Sequence, residues 1–234
     1  VQQYLESALG FVANHPVELV CAGRTDSGVH AIEQVAHFET SAERSQRAWV
    51  LGSNCRLPRD IRLKWAVPVD DDFHARFSAR ARSYRYIILN SPVPSAVFHH
   101  LSSWEFMALD QQAMHDCAQI LLGEHDFSSF RAAGCQAKSS SRNVHEISVS
   151  RLGEMIFMDI SANAFLYHMV RNIAGSLIAV GKGEKDASWF AGVFKACDRN
   201  LADKTADAAG LYFLQASYED KYKLPSTAKK PVLF

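Results

Sequence analysis

Between two glycines, the run Gly23-Arg24-Thr25-Asp26-Ser27-Gly28 sets a guanidinium and a carboxylate two residues apart. The glycines permit a tight or left-handed backbone, so the charged pair belongs at the tip of an exposed turn. Two readings fit such a tip. It is either an Asx-turn closed by a local ion pair, or a carboxylate presented for chemistry beside its arginine. It is not a phosphate-cradling loop: the order G-x-x-x-x-G-K-S/T is absent, and Gly181-Lys182-Gly183, near a helix end, lacks the partner residues as well.

The formal net charge is zero, from 25 basic and 25 acidic residues, which taken alone does not suggest a nucleic-acid binder. The distribution does. Arg56, Arg59, Arg62, Lys64, Arg76, Arg80, Arg82 and Arg85 are interrupted only by Asp60, Asp70, Asp71 and Asp72, and seven of the eight cations are arginine. The planar guanidinium fork suits phosphates and base edges better than an ammonium does. The competing reading is a solvated charged face.

Metal and disulfide chemistry find little support. Cys21, Cys55, Cys117, Cys135 and Cys197 are odd in number, scattered and never spaced C-x-x-C, and the ten histidines lack ligand spacing. No stretch of about 18 apolar residues suggests a membrane span, and no signal peptide is recognisable, so a soluble, cytoplasmic protein is expected.

The elements that must position these residues follow from periodicity. Apolar spacings of three and four predict helices over residues 1–15, 110–123, 165–180 and 187–197. Short apolar or alternating runs predict strands over 17–22, 34–40, 61–67, 84–89 and 210–218, with a hairpin of 144–151 and 155–161 about Leu152-Gly153. The charged turn then lies between two strands. Residues 90–95 are a turn-rich break, giving an N-terminal half over 1–92 and a C-terminal half over 93–234. The expected class is α+β, two halves sharing an antiparallel sheet. The last ten residues, with Pro225, Lys229, Lys230 and Pro231, read as a loosely held tail.

Cys21-Ala22-Gly23-Arg24-Thr25-Asp26-Ser27-Gly28-Val29-His30-Ala31, followed by Gln34-Val35-Ala36-His37-Phe38, resembles the signature of the TruA family of tRNA pseudouridine synthases. Three further blocks agree in order: Phe73-His74-Ala75-Arg76-Phe77-Ser78-Ala79 with Tyr84-Arg85-Tyr86, then Asn163-Ala164-Phe165-Leu166-Tyr167-His168-Met169-Val170-Arg171-Asn172-Ile173, then Gly210-Leu211-Tyr212. The likeness covers Val1 to about Tyr218.

The resemblance implies isomerisation of uridine to pseudouridine at positions 38, 39 and 40 of the tRNA anticodon arm, by a homodimer that uses no cofactor and no metal. It implies two ferredoxin- or RRM-like α/β halves about a central basic cleft. Residue by residue, the essential aspartate falls on Asp26, its neighbouring arginine on Arg24, the tyrosine against the target base on Tyr84, and a helix arginine that meets the aspartate on Arg171. Arg76, Arg80, Arg82 and Arg85 become candidates for holding the phosphates on either side of a flipped nucleotide. Asp26 has two routes, attack on ribose C1′ or removal of a proton from C2′. The resemblance further implies a strand upstream of Val1. Ser27 stands where alanine is common in the family, and Tyr167 where histidine or valine occurs. The weaker alternatives are a non-catalytic RNA-binding protein on the same fold, for which a carboxylate beside phosphates has no use, and a nucleoside hydrolase, which does not account for the arginine-rich strands.

Overall fold

A computed structural model describes residues 1–225; residues 226–234, and with them most of the expected tail, lie outside the described part. In chain order the elements are α1 (Gln2–Ala13), β1 (Val20–Cys21), β2 (His30–Ala31), β3 (Ala36–His37), α2 (Gln46–Asn54), β4 (Ala81–Asn90), β5 (Ser103–Glu105), α3 (Gln111–Ala118), β6 (Gly123–Asp126), β7 (Ser141–Leu152), β8 (Met155–Ala162), α4 (Met169–Gly181), α5 (Ala187–Ala196) and β9 (Leu211–Ser217). Helix starts are marked chemically. Ser45 caps α2 by accepting from Ala48 N, Asp110 caps α3 through Ala113 N, and Asp186 caps α5 through Trp189 N. Each cap satisfies one of the N–H groups that a first helical turn leaves without a partner.

Contacts divide the chain into two compact units. Among the described residues, one holds Val1–Arg24, Gln34–Arg80 and residues 217–225; the other holds Thr25–Glu33 and Ala81–Ala216. Each unit thus draws on chain from both sides of residue 92.

In the first unit, β1 and β3 form a two-stranded antiparallel sheet. Leu9 and Ala13 of α1 meet Val17, Leu19 and the Trp49 ring of α2 in a small core, with Leu63 and Ala66 packed against it. The stretch 61–67, expected as a strand, forms none. The Asn54 side chain takes the place of a neighbouring strand: its Nδ2 donates to Leu63 O and its Oδ1 accepts from Leu63 N, both at 2.8 Å. Alternation there reports one buried side, not sheet pairing.

The second unit is built on a seven-stranded sheet in the order β2-β9-β4-β8-β7-β6, with β5 beside β4. The expected antiparallel sheet is instead mixed, because β2 runs parallel to β9 and β5 parallel to β4. The hairpin of β7 and β8 forms as expected. Side chains alternate across the sheet. Tyr86 and Ile88 of β4 join Ile156, Met158 and Ile160 of β8 beneath α3, α4 and α5, while Ile87, Leu89, Met155, Phe157, Tyr212 and Leu214 make a second cluster that Ile32 and Phe98 partly cover. Full burial of such side chains contributes roughly 1.5–3 kcal/mol each.

Helix α4 is central to this unit, and every residue of it but Arg171 is buried. It begins at Met169, later than expected, because His168 takes the left-handed conformation (φ 59°) at its N-cap. Helix α3 likewise ends at Ala118 and continues as a short 3-10 turn over Gln119–Leu121. No helix among the described residues is long and apolar enough to cross a membrane.

Candidate active site

The segment after β1 crosses Gly23 to Gly28 before entering β2. Val29 N donates to Asp26 O at 3.1 Å, and Gly28 between them sits at φ 82°. A positive φ at the third position of such a turn is what glycine supplies, and a β-carbon there would also approach the Ala208 side chain to 3.2 Å. After the turn, β2 is pinned to β9 in the register His30 to Tyr212, and Ile32 N donates to Phe213 O at 2.8 Å. The position of Asp26 is therefore fixed from its C-terminal side by backbone bonds.

Its carboxylate is engaged by α4. Arg171 Nη1 lies 3.3 Å and His168 Nε2 3.0 Å from the same oxygen, Asp26 Oδ2. The side chains remain partly open, 30% exposed for Asp26, 15% for Arg171 and 22% for His168, so the pair is shielded yet reachable. Burial pushes the His168 imidazole below its ordinary range; Asp26 opposes that shift, and Arg171 adds to it. A neutral ring facing a carboxylate must donate, so the proton belongs on Nε2. The result is an aspartate held by one cation and one neutral donor.

Arg171 is itself held. Its Nε donates to Ala206 O at 2.8 Å, and Ala206 N donates to Arg171 O at 3.1 Å. The segment carrying Ala206 can lie this close because Gly175, one turn on, has no side chain: a β-carbon there would fall 1.9 Å from Lys204 O. A buried polar network anchors the same segment. Asn172 Oδ1 accepts from Thr205 Oγ1 at 2.6 Å and Arg199 Nη2 at 3.2 Å, while its Nδ2 donates to Phe130 O.

Of the residues expected from sequence, Asp26 and Arg171 are brought together. Tyr84 belongs to the same unit, its ring edge-on to Phe165 (4.9 Å between centroids) and Phe213 (5.2 Å). Arg24 is exposed and falls in the other unit. Arg76 is exposed, Arg80 is an exposed partner of Glu219, and Arg82 Nη1 donates to Asn163 O at 3.0 Å. Arg85 is different. Its side chain is 9% exposed, and Nε and Nη2 bind both oxygens of Asp159 at 2.7 and 2.8 Å. The two residues face each other across β4 and β8, so this guanidinium is engaged by a carboxylate within the sheet.

His168 was not among the candidates read from sequence. Nothing in the chain links it to Asp26 beforehand, but its spacing of three from Arg171 at a helix start could have placed both on one face. Among the described residues, no group of three or more His, Cys, Asp or Glu could hold a metal ion.

A family model described as tRNA pseudouridine synthase matches residues 1–78 and 117–219, segments that contain Arg24, Asp26, His168 and Arg171. The chain belongs to the tRNA pseudouridine synthase family. It is 54% identical over 234 residues to the tRNA pseudouridine synthase A of Hydrogenovibrio crunogenus, covering all of this chain and 89% of that protein. The protein of the same name from Actinobacillus pleuropneumoniae is 54% identical over 232 residues, with 99% and 88% covered, and that of Vibrio campbellii is 51% identical with the same coverage. As a pseudouridine synthase the chain is an isomerase.

Proposed function

We propose that this protein isomerises uridine to pseudouridine at positions 38, 39 and 40 of the tRNA anticodon arm, with Asp26 as the catalytic carboxylate. The observation that carries the assignment is the double engagement of Asp26 Oδ2 by His168 and Arg171. In this reaction the bond from ribose C1′ to uracil N1 breaks, the base turns, C5 bonds to C1′, the proton on C5 is lost and N1 gains one. No oxidant or cofactor enters that balance. Asp26 attacks C1′, displacing the uracil anion, or removes the C2′ proton; either role requires an aimed carboxylate, which Arg171 and His168 hold in place.

Tyr84 offers the flipped uracil a flat face backed by Phe165 and Phe213. Base–aromatic stacking of this kind contributes roughly 1–3 kcal/mol. Arg24 serves the same carboxylate or the phosphate beside the target, and Arg76, Arg80 and Arg82 hold the flanking backbone. A stacked, paired base cannot reach a carboxylate, so the nucleotide leaves its helix. In this reading two ferredoxin-like halves flank the basic RNA-binding cleft, a homodimer grips the long arm of the tRNA, and the protein works in the cytoplasm, where tRNA is.

Asp26→Asn tests the assignment, because it keeps size and removes the charge. Pseudouridine formation in an unmodified tRNA transcript falls by about 10²–10⁴ or more, while tRNA affinity is retained, since phosphate contacts supply most of it. Near-normal turnover in this variant would overturn the role of Asp26.

A further inference from the structure

In the first unit the turn from Phe73 to Ser78 holds a phenylalanine out to solvent. Phe77 is 76% exposed, although the protein has a core able to receive such a ring. It is not a loose side chain. Its ring stacks on His74 with centroids 4.3 Å apart and planes 28° from parallel, which backs one face and leaves the other open.

The backing is rigid for a reason that can be traced bond by bond. His74 Nδ1 accepts from both Arg76 N and Phe77 N at 3.2 Å, Ser78 N donates to His74 O at 2.8 Å, and His74 N donates to Ser78 Oγ at 3.0 Å. Behind His74 stands His37, with centroids 4.7 Å apart, and behind that the buried Phe73 at 6.0 Å. A chain of ring contacts, edge-on between Phe73 and His37, tilted between His37 and His74 and stacked between His74 and Phe77, thus runs from the core to an exposed tip. Two arginines stand beside the tip: the Arg76 guanidinium carbon lies over the Phe77 ring, 5.7 Å from its centroid, and Arg80, three residues on and 69% exposed, is ion-paired with Glu219.

We propose that the free face of Phe77 is a stacking platform for an unpaired nucleobase of the RNA, separate from the face that Tyr84 offers the target uracil. An exposed aromatic ring beside arginines is the combination that binds single-stranded nucleic acid, the ring taking the base and the cations its phosphates. Because the ring is already fixed by His74, little side-chain freedom is lost on binding. The platform rests on the reading of this chain as an enzyme acting on tRNA, and it specifies that an unstacked nucleotide beyond the reacting one is held.

Phe77→Ala, Phe77→Tyr and Phe77→Trp test it with an unmodified tRNA transcript and an RNA duplex without unpaired bases. Phe77→Ala weakens tRNA binding about 10-fold, the effect lying in Kd and KM rather than kcat, and leaves duplex binding as in the wild type. Phe77→Tyr and Phe77→Trp bind like the wild type, and the emission gained in Phe77→Trp is quenched when tRNA is added. Equal tRNA affinity in the wild type and Phe77→Ala, or a new emission that ignores tRNA, overturns the proposal. So does a loss of affinity that appears only together with a changed oligomeric state, which would make this face a contact between protein copies. If the wild type formed no pseudouridine while Phe77→Ala still lost tRNA affinity, the platform would stand and the proposed reaction would fall.

Discussion

His168 Nε2 lies 3.0 Å from Asp26 Oδ2, across 142 positions of chain, and does so from a backbone conformation that most side chains avoid (φ 59°). Asparagine tolerates that conformation but is too short to reach the carboxylate. His168→Asn therefore folds and loses the bond. We expect kcat to fall about 10-fold or more with KM little changed, as for loss of a hydrogen bond to a charged group worth roughly 1.5–3 kcal/mol. Single-turnover kinetics on a tRNA transcript measure it. A kcat equal to the wild type would show that Arg171 alone suffices to orient Asp26.

Arg85 and Asp159 are a buried pair, so removing one partner strands the other. Asp159→Leu destabilises the protein by about 3–5 kcal/mol, and the double change Asp159→Leu with Arg85→Met recovers much of that loss. Urea unfolding gives both values. The double variant also keeps the wild-type dependence of tRNA affinity on salt, because Arg85 neutralises no phosphate; a flatter dependence would return it to the RNA-binding set.

Gly175→Ala places a methyl group against Lys204 O, a backbone atom that cannot swing aside. The segment clipped to Arg171 must shift, at a cost of about 1–3 kcal/mol or more for overpacking. Turnover falls further than the unfolded fraction accounts for, since Arg171 loses the fixed carbonyl of Ala206. Equilibrium unfolding and activity measured on the same sample separate the two effects.

Burial, with His74 adding to it, holds the His37 imidazole below its ordinary range. When pH falls through the ordinary histidine value of about 6.5, the unfolded chain takes up a proton that the folded chain does not, so stability is full above that pH and declines below it. His37→Gln removes this contribution. The drop in urea midpoint between about pH 7.5 and about pH 5.5 is smaller in the variant than in the wild type. An equal drop would assign the acid sensitivity to other groups.

The hairpin of β7 and β8, the strand β4 and the helices α3 and α5 were legible because their signals are local: alternation, a Gly153 turn and apolar stripes, whereas α2, capped by Ser45, was missed. Residues 61–67 alternate just as clearly, yet their backbone partner is the Asn54 amide, which no periodicity reveals. The apolar stripe from Phe165 onward conceals the left-handed break at His168, and with it the residue that meets Asp26. Arg85 reads as a cation on an amphipathic strand until Asp159 is seen opposite it. Asp26 and Arg171 were found through resemblance rather than through spacing. The turn bearing Asp26, taken alone, reads first as an Asx-turn with a local ion pair.

The pairing of β2 with β9 means that the loop bearing Asp26 is anchored by strand residues far along the chain, His30 to Tyr212 and Ala31 to Phe213. On the ribosome the turn lacks that anchor until β9 has been made, so a nascent chain that stops short of β9 carries the sequence of the turn without its geometry. Such distant pairing also slows folding, because a long loop must close before its contacts form.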